Sequence, residues 1–302
     1  MPGSPANDAA PGSLSRTRTR GDLCPGVLRP WLADDGALVR LRLVGGATRI
    51  DQLAALGAVA EKYGSGTVHL TKRANLQVRG LPVVGDGCPS ASLPHEVVAA
   101  IEATGLLPSH SHELVRNILL SPLSGVTGGR ADLRPLAERL DRALRATPAA
   151  AGLSARFLFV LDDGRGDVVG RSADLGVIAL DERTAQVRVG SAQWSEPLAL
   201  DDVVPALVGW ATAFVAARGT GPDAPWHVDE LPTPLLAHAA QPDPRLPEPT
   251  APPAYGALPG CVHRQVPDGR LAPRDLAALA AEFGSHRRIV VTPWRSLVIP
   301  DA

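Results

Sequence analysis

The chain has 302 residues, 45% of them hydrophobic, and a formal net charge of −1. A chain of this size can bury a substantial core and corresponds to one large or two ordinary domains. Its near-neutral charge gives no reason to expect a nucleic acid as partner. We find neither a secretory signal nor an apolar run of about 18 residues, so we expect a cytoplasmic protein without membrane contact.

The first part of the chain reads as a leader followed by one compact unit. Residues 1–21 are rich in Pro, Ser, Ala, Thr and Arg without periodicity, which predicts a disordered leader. Apolar residues alternate with arginines over 39–43, as in a strand with one apolar face. Helical spacing over 53–63 and a short apolar run over 67–70 then predict a helix and a second strand. We assign 22–88 to this first unit.

The rest of the chain alternates helices and strands before a stiff connection. Residues 89–240 predict a mixed domain, and the proline-rich segment 241–258 predicts a linker to a last unit, 259–302. The mixed domain is expected to contain helices at 95–104, 132–146 and 201–217, strands at 156–161 and 175–180, and a hairpin strand at 186–189.

Residues 39–80 and 261–300 look like two copies of one strand-helix-strand unit. Both copies keep the same order of helix, strand and turn, although about 220 residues separate them. Leu53, Thr71 and Leu76 of the first copy correspond to Leu276, Thr292 and Leu297 of the second. We therefore expect the two half-units to pair into one layer.

The candidate chemistry is anion binding by arginine. Arg40 and Arg42 share one side of the predicted strand, Lys72 and Arg73 lie in the polar turn after 67–70, and Arg116 precedes a glycine-rich bend. Guanidinium groups stay charged and bind carboxylates in a bidentate way, so a convergent set suits a polycarboxylate ligand. The alternative is that the arginines are the solvated face of a strand.

The same residues resemble a known family. CPG, ADDG and VRLRLVGG near the start, RNILLSPLSG and LSARFLFVLDDG in the middle, and VVTPWRSLVIP at the end are similar to the nitrite and sulfite reductase superfamily. Within it, the opening is closer to the precorrin-3B synthases of cobalamin biosynthesis than to the reductases. The resemblance covers about residues 22–302. It implies an α+β fold in which two ferredoxin-like half-domains pair around a central α+β domain.

The resemblance also implies a ligand and an activity. Precorrin-3B synthases oxidise precorrin-3A, a polycarboxylate tetrapyrrole, with dioxygen, using iron and a 4Fe-4S cluster, whereas the reductases use sirohaem. Arg156 stands where the family has a lysine, and Leu158 replaces a second basic residue typical of the reductases. The residues implied to bind substrate or tetrapyrrole are Arg40, Arg42, Lys72, Arg73, Asn75, Gln77, Arg116, Asn117 and Arg156. No catalytic residue is identified.

The cysteines depart from the family pattern. Cys24, Cys88 and Cys261 are too far apart in sequence to form a CxxC-like pair, whereas the family holds its 4Fe-4S cluster with four cysteines in a further domain. His110 and His112 with Glu113 could bind a metal, but a polar loop is the simpler interpretation. We expect no metal site.

Three hypotheses follow: a truncated or split synthase that acts with a separate cluster-bearing polypeptide, a non-catalytic tetrapyrrole-binding protein, or a fragment of a sulfite or nitrite reductase.

Overall fold

The structure is a computed structural model that describes residues 24–85, 91–221 and 223–301. The predicted leader and Cys88 therefore lie outside the described residues. In chain order the elements are β1 Trp31–Ala33, β2 Gly36–Leu41, β3 Ala47–Arg49, α1 Ile50–Tyr63, β4 Val68–Leu70, β5 Leu76–Leu81, α2 His95–Glu102, β6 Ile118–Leu120, α3 Arg134–Ala146, β7 Phe159–Asp162, β8 Leu175–Ala179, β9 Thr184–Val189, β10 Gln193–Trp194, β11 Leu198–Ala199, α4 Leu200–Arg218, β12 Gly256–Leu258, β13 Cys261–Arg264, β14 Arg270–Leu271, α5 Pro273–Phe283, β15 Arg288–Val291 and β16 Leu297–Pro300.

The local patterns produce these elements for simple reasons. In α1 the apolar residues recur at helical spacing, so Leu53, Leu56 and Ala60 lie buried on one face, and the helix ends at Gly64. In β2, Val39 and Leu41 are buried in the core on either side of Arg40, which is partly exposed. The predicted helices and strands are present, with boundaries shifted by a few residues.

The central domain is a six-stranded sheet. Strands β6, β7 and β8 are parallel, β9 is antiparallel to β8, and both β10 and β11 pair with β9. Helices α3 and α4 cover one face of this sheet. The rings of Phe157, Phe159 and Phe214 meet there with centroids 5.1 Å apart for each contacting pair, and they form the centre of the core under the helices.

The two half-units exchange a strand. The first sheet has the order β1-β2-β5-β4-β14, so its last strand comes from the second half-unit. The second sheet has the order β12-β13-β16-β15-β3, so its last strand comes from the first. The two half-units therefore do not form the expected single layer. They form two sheets, and each sheet includes one strand from the other half-unit. Helices α1 and α5 pack against each other, and one apolar core joins both units.

The turn before the last strand of each half-unit has the same geometry twice. Thr71 Oγ1 accepts a hydrogen bond from the backbone N–H of Asn75 at 3.1 Å, and Thr292 Oγ1 accepts one from Ser296 at 3.2 Å. Ala74 and Arg295, at equivalent positions, both have positive φ angles, of 55° and 61°. The internal repeat predicted from the sequence is confirmed at this level of detail.

Two further features qualify the sequence expectations. The segment predicted as a linker ends in β12, which pairs with β13, so its last residues belong to the second sheet. Helix α4 is, among the described residues, the one helix long and apolar enough to cross a membrane. Val203, Leu207 and Phe214 of α4 are fully buried in the core beneath the central sheet, as in the core helix of a globular domain.

Candidate functional site

Three arginines from separate segments meet at the boundary between the first half-unit and the central domain. Arg40 lies on β2, Arg73 lies in the turn between β4 and β5, and Arg156 precedes β7. Arg73 Nη1 donates a hydrogen bond to the backbone oxygen of Arg156 at 3.1 Å. The charge of Arg73 also acts on Arg40. The structure thus brings together three of the residues that the sequence singled out.

Arg40 is the least satisfied of the three. Its Nε is buried and has no hydrogen-bond partner among the described residues. Burial lowers the pKa of Arg40, Cys24 acts in the opposite direction, and the charge of Arg73 lowers it further. A buried donor without an acceptor costs free energy, which an anionic ligand would recover.

An aromatic residue that the sequence analysis did not identify lies against this cluster. The guanidinium carbon of Arg156 lies 4.5 Å from the ring centroid of Trp226, within the range of a cation–π contact. Trp226 lies in an irregular segment between α4 and β12, where no periodic pattern reveals which side chains point inward. No sequence signal marked it.

Two titratable residues lie beside the arginines. Asp174, directly before β8, is 1% exposed, and burial raises its pKa to about 6, while the charges of His227 and Arg73 act to lower it. His227 Nδ1 accepts a hydrogen bond from the backbone N–H of Asp229 at 3.2 Å, which assigns the proton to Nε2. That Nε2 is buried, lies 3.9 Å from Asp174 Oδ1 and has no hydrogen-bond partner among the described residues.

Other predicted site residues have internal partners. Arg42 is 2% exposed; its Nε donates to Asn117 Oδ1 at 3.0 Å, and its Nη1 donates to the backbone oxygens of Pro25 and Glu113. Asn117 Nδ2 in turn donates to Ala155 and Phe157 oxygens at 2.9 and 3.2 Å. Arg42 and Asn117 therefore fix the backbone on both sides of Arg156.

Arg116 points to the opposite side of the central sheet. Its Nε lies 2.5 Å from Asp141 Oδ1 of α3, and both side chains are buried. Arg145 contacts the other oxygen of the same carboxylate at 2.9 Å. The structure does not bring Arg116 to the cluster around Arg40 and Arg73.

The remaining predicted residues border the cluster. Asn75 is 1% exposed; its Oδ1 accepts from the Leu43 backbone, while its Nδ2 is buried and has no hydrogen-bond partner among the described residues. Gln77 pairs with Arg40 in the ladder between β2 and β5 and is partly exposed. Lys72 is exposed beside Arg73. We call Arg40, Arg73, Arg156, Trp226 and His227 the arginine cluster.

The donor set fits a polycarboxylate ligand and does not fit an iron–sulfur cluster. The arginine cluster offers guanidinium and imidazole N–H groups, which suit carboxylates. In the described ranges no group of three or more His, Cys, Asp and Glu side chains could hold a metal ion. His110 pairs with Glu102, and His112 contacts Ser111 and a backbone oxygen. Cys24 and Cys261 are the described cysteines.

Comparisons with known proteins support the fold. The family model of the nitrite/sulfite reductase ferredoxin-like half domain matches residues 32–83. A precorrin-3B synthase of Sinorhizobium sp is 30% identical over 177 residues, which cover 58% of this chain and 35% of that protein. The structure of the Mycobacterium tuberculosis NirA protein matches with a TM-score of 0.60 and 19% identity, over 92% of this chain and 59% of that one. The fold class predicted from the sequence is confirmed.

Proposed function

This chain carries a nitrite/sulfite reductase ferredoxin-like half domain and resembles a precorrin-3B synthase, and from that premise we propose that it binds a polycarboxylate tetrapyrrole of the precorrin-3A type. The chain spans about a third of the length of the curated synthase, at 35%. The ligand, the activity and the partners are therefore all part of the proposal.

The observation that carries the proposal is the convergence of Arg40, Arg73 and Arg156 from two different units. Arginines brought together repel each other, and here burial and then the charge of Arg73 lower the pKa of Arg40. Peripheral carboxylates of a macrocycle would neutralise such a set through bidentate hydrogen bonds. Trp226 adds an aromatic surface beside the guanidinium of Arg156.

The described residues support a binding step on this chain. Arg40, Arg73 and Arg156 would hold ring carboxylates, and the buried Nδ2 of Asn75 and the partly exposed Gln77 would donate neutral hydrogen bonds beside them. For a precorrin-3B synthase, the resemblance implies dioxygen as the oxidant and iron with a 4Fe-4S cluster as cofactors. A 4Fe-4S cluster requires four thiolate ligands, and the described residues contain two cysteines, so ligands outside the described residues would hold that group. Cytoplasmic residence stays a prediction.

A second candidate function is binding of the tetrapyrrole without oxidation. The same arginine cluster would hold the ligand in a synthase and in a binding protein. Reduction of sulfite or nitrite is a weaker candidate, since Leu158 stands where reductases carry a second basic residue and is buried in the core. Turnover of bound precorrin under dioxygen distinguishes a synthase from a binder.

An anaerobic absorbance titration with sirohaem tests the binding step. We expect saturable binding, and we expect Arg73→Ala to weaken it by about tenfold or more, because each charge-assisted hydrogen bond contributes about 1.5–3 kcal/mol. Arg183→Ala is the matched control, since Arg183 is exposed in the hairpin between β8 and β9.

An esterified porphyrin, which lacks carboxylates, should not saturate the protein. Equal affinity for sirohaem, which carries free carboxylates, and for the esterified porphyrin would remove the arginine cluster from the proposal. Equal affinity of the Arg73→Ala and Arg183→Ala variants would do the same.

A further inference from the structure

One buried carboxylate holds both segments that build the stacked pair of Arg156 and Trp226. Asp174 Oδ2 accepts a hydrogen bond from the backbone N–H of Leu158 at 2.8 Å. Asp174 Oδ1 accepts one from the backbone N–H of Val228 at 3.0 Å. Leu158 lies two residues after Arg156, and Val228 lies two residues after Trp226. Each oxygen therefore holds one side of the pair.

The backbone of Asp174 is held as firmly as its side chain. Its N–H donates to the oxygen of Leu158 at 3.0 Å, and its own oxygen accepts from the N–H of Gly190 at 2.9 Å. The residue lies directly before β8, and it is 1% exposed. A carboxylate fixed in this way transmits its position to the two segments that it binds.

We propose that Asp174 is a positioning residue of the arginine cluster, which sets the Arg156–Trp226 pair and, from 3.9 Å, orients the ring of His227. This inference rests on the proposed function, because it names how the same site is held. It assigns roles to Asp174 and His227 that neither the repeat nor the family resemblance indicates.

The role of Asp174 differs from that of a simple local charge. The charged or titratable groups that act on it are His227, from its own side of the site, and Arg73, from the first half-unit. An acidic residue beside an anion site opposes anion binding by electrostatics alone. A purely electrostatic role thus predicts that removing this charge tightens binding, whereas a positioning role predicts weaker binding.

The test compares two variants that each remove one negative charge near His227. In Asp174→Asn the amide offers one acceptor oxygen and an NH2 group, so the N–H of Leu158 or of Val228 loses its acceptor. We expect about a tenfold loss of affinity for uroporphyrin, an octacarboxylate, in fluorescence titrations at pH 7.5. Asp229→Asn is the control, because the Asp229 carboxylate lies 3.4 Å from His227 Nδ1 and accepts from the Ser191 backbone N–H, but accepts from neither of the two segment amides; its affinity should equal or exceed that of the wild type.

A second measurement needs neither ligand nor variant. Burial raises the pKa of Asp174 to about 6, so in the wild-type protein the amide proton signals of Leu158 and Val228 should shift between pH 5 and 7 with one common midpoint. This measurement decides the inference if Asp174→Asn fails to fold.

The outcomes separate this inference from the proposed function. Unchanged or tighter binding by Asp174→Asn, or amide signals that do not titrate together, would overturn the positioning role. If the wild-type protein binds no uroporphyrin, the proposed function fails, and a common midpoint for the two amides still supports Asp174 as the residue that holds both segments.

Discussion

Two arginines of one sequence motif have different environments. Arg40 and Arg42 are two residues apart, and the alternating pattern places them on the same side of a strand. However, β2 ends at Leu41 after a bulge between Ala37 and Val39, so Arg42 lies beyond the strand and turns toward Asn117. Arg40 stays at the boundary, and its Nε has no hydrogen-bond partner in the part of the chain that the structure describes. Sequence periodicity identifies candidates, but the end of a strand decides which of them stays at the boundary between the first half-unit and the central domain.

Arg116 should contribute to stability rather than to binding. Arg116→Ala removes one partner of a buried ion pair with Asp141, so we expect the free energy of unfolding in urea to fall by about 3 kcal/mol. Arg145→Ala is the control on the same carboxylate; its side chain is 34% exposed, and we expect a loss of about 1 kcal/mol or less. The opposite result, normal stability with weaker sirohaem binding, would place Arg116 in the binding site.

Asp167 should make stability depend on pH. Burial raises the pKa of Asp167 to about 7, although Ser121 donates a hydrogen bond to it at 2.6 Å. The folded state therefore holds a proton between about pH 4 and pH 7 that the unfolded state has released, so this residue's stabilising contribution is full at low pH and is lost as the pH rises.

Comparison with a variant isolates this effect. Asp167→Asn should gain stability over the wild type as the pH rises from 5 to 7, by at most about 1.4 kcal/mol per pH unit in urea unfolding. A stability difference that stays constant over this range would mean that the Asp167 carboxyl titrates normally.

At the scale of elements, α1 and α5 approach closely because Gly57 has no side chain. A Cβ on Gly57 would lie 2.3 Å from Leu276 Cδ1. The two residues belong to the two copies of the repeat, so this contact joins the half-units directly. Such close contact between helices tolerates little additional volume.

Gly57→Ala and Gly209→Ala form a matched pair of tests, because both glycines lie inside helices. Nothing lies within 4 Å of a Cβ on Gly209, so alanine there should stabilise the protein by about 0.5–1 kcal/mol through helix propensity. Alanine at Gly57 gains the same propensity but displaces Leu276, and we expect it to be about 1–3 kcal/mol less stable than the Gly209 variant in thermal or urea unfolding. Equal stability of the two variants would show that α5 moves away without cost.

The sequence predicts the elements of this fold better than their partners. Leu53 and Leu276 mark equivalent helices because helical spacing is a local property. The sequence does not predict the exchange of β3 and β14, because these short strands carry no pattern that indicates which sheet they join. Trp226 and Asp174 are also missed by the sequence analysis. Tertiary contacts position them, namely the cation–π contact of Trp226 and the hydrogen bonds of Asp174, and such contacts leave no periodic signal in the sequence.

At the scale of the molecule, the half-units depend on each other. Each five-stranded sheet ends in a strand from the other unit, and one apolar core includes Leu56 and Val59 from the first unit together with Leu279 and Ile289 from the second. Neither unit can complete its sheet alone. The pairing also positions Arg73 against the central domain, so the candidate site depends on it.

Residues 24–85 expressed alone should therefore not fold cooperatively. The fragment lacks β14 and leaves β3 without β15 as its partner. We expect circular dichroism during urea unfolding to show a gradual change, whereas the full chain should unfold in a cooperative step with the same midpoint by fluorescence and circular dichroism. A sharp transition in the fragment would show that the first unit is an independent domain.

The exchange of strands also sets an order of events during synthesis. Leu70 at the end of β4 leaves the ribosome about 200 residues before Leu271 of β14, a delay of roughly 10–40 s at usual elongation rates. Throughout that interval the edge of β4 that faces away from β5 has no partner strand from its own chain. Unpaired edges are where nascent chains associate wrongly, so the newborn protein passes through a period in which a chaperone, or a neighbouring nascent copy, competes for the place that β14 later takes.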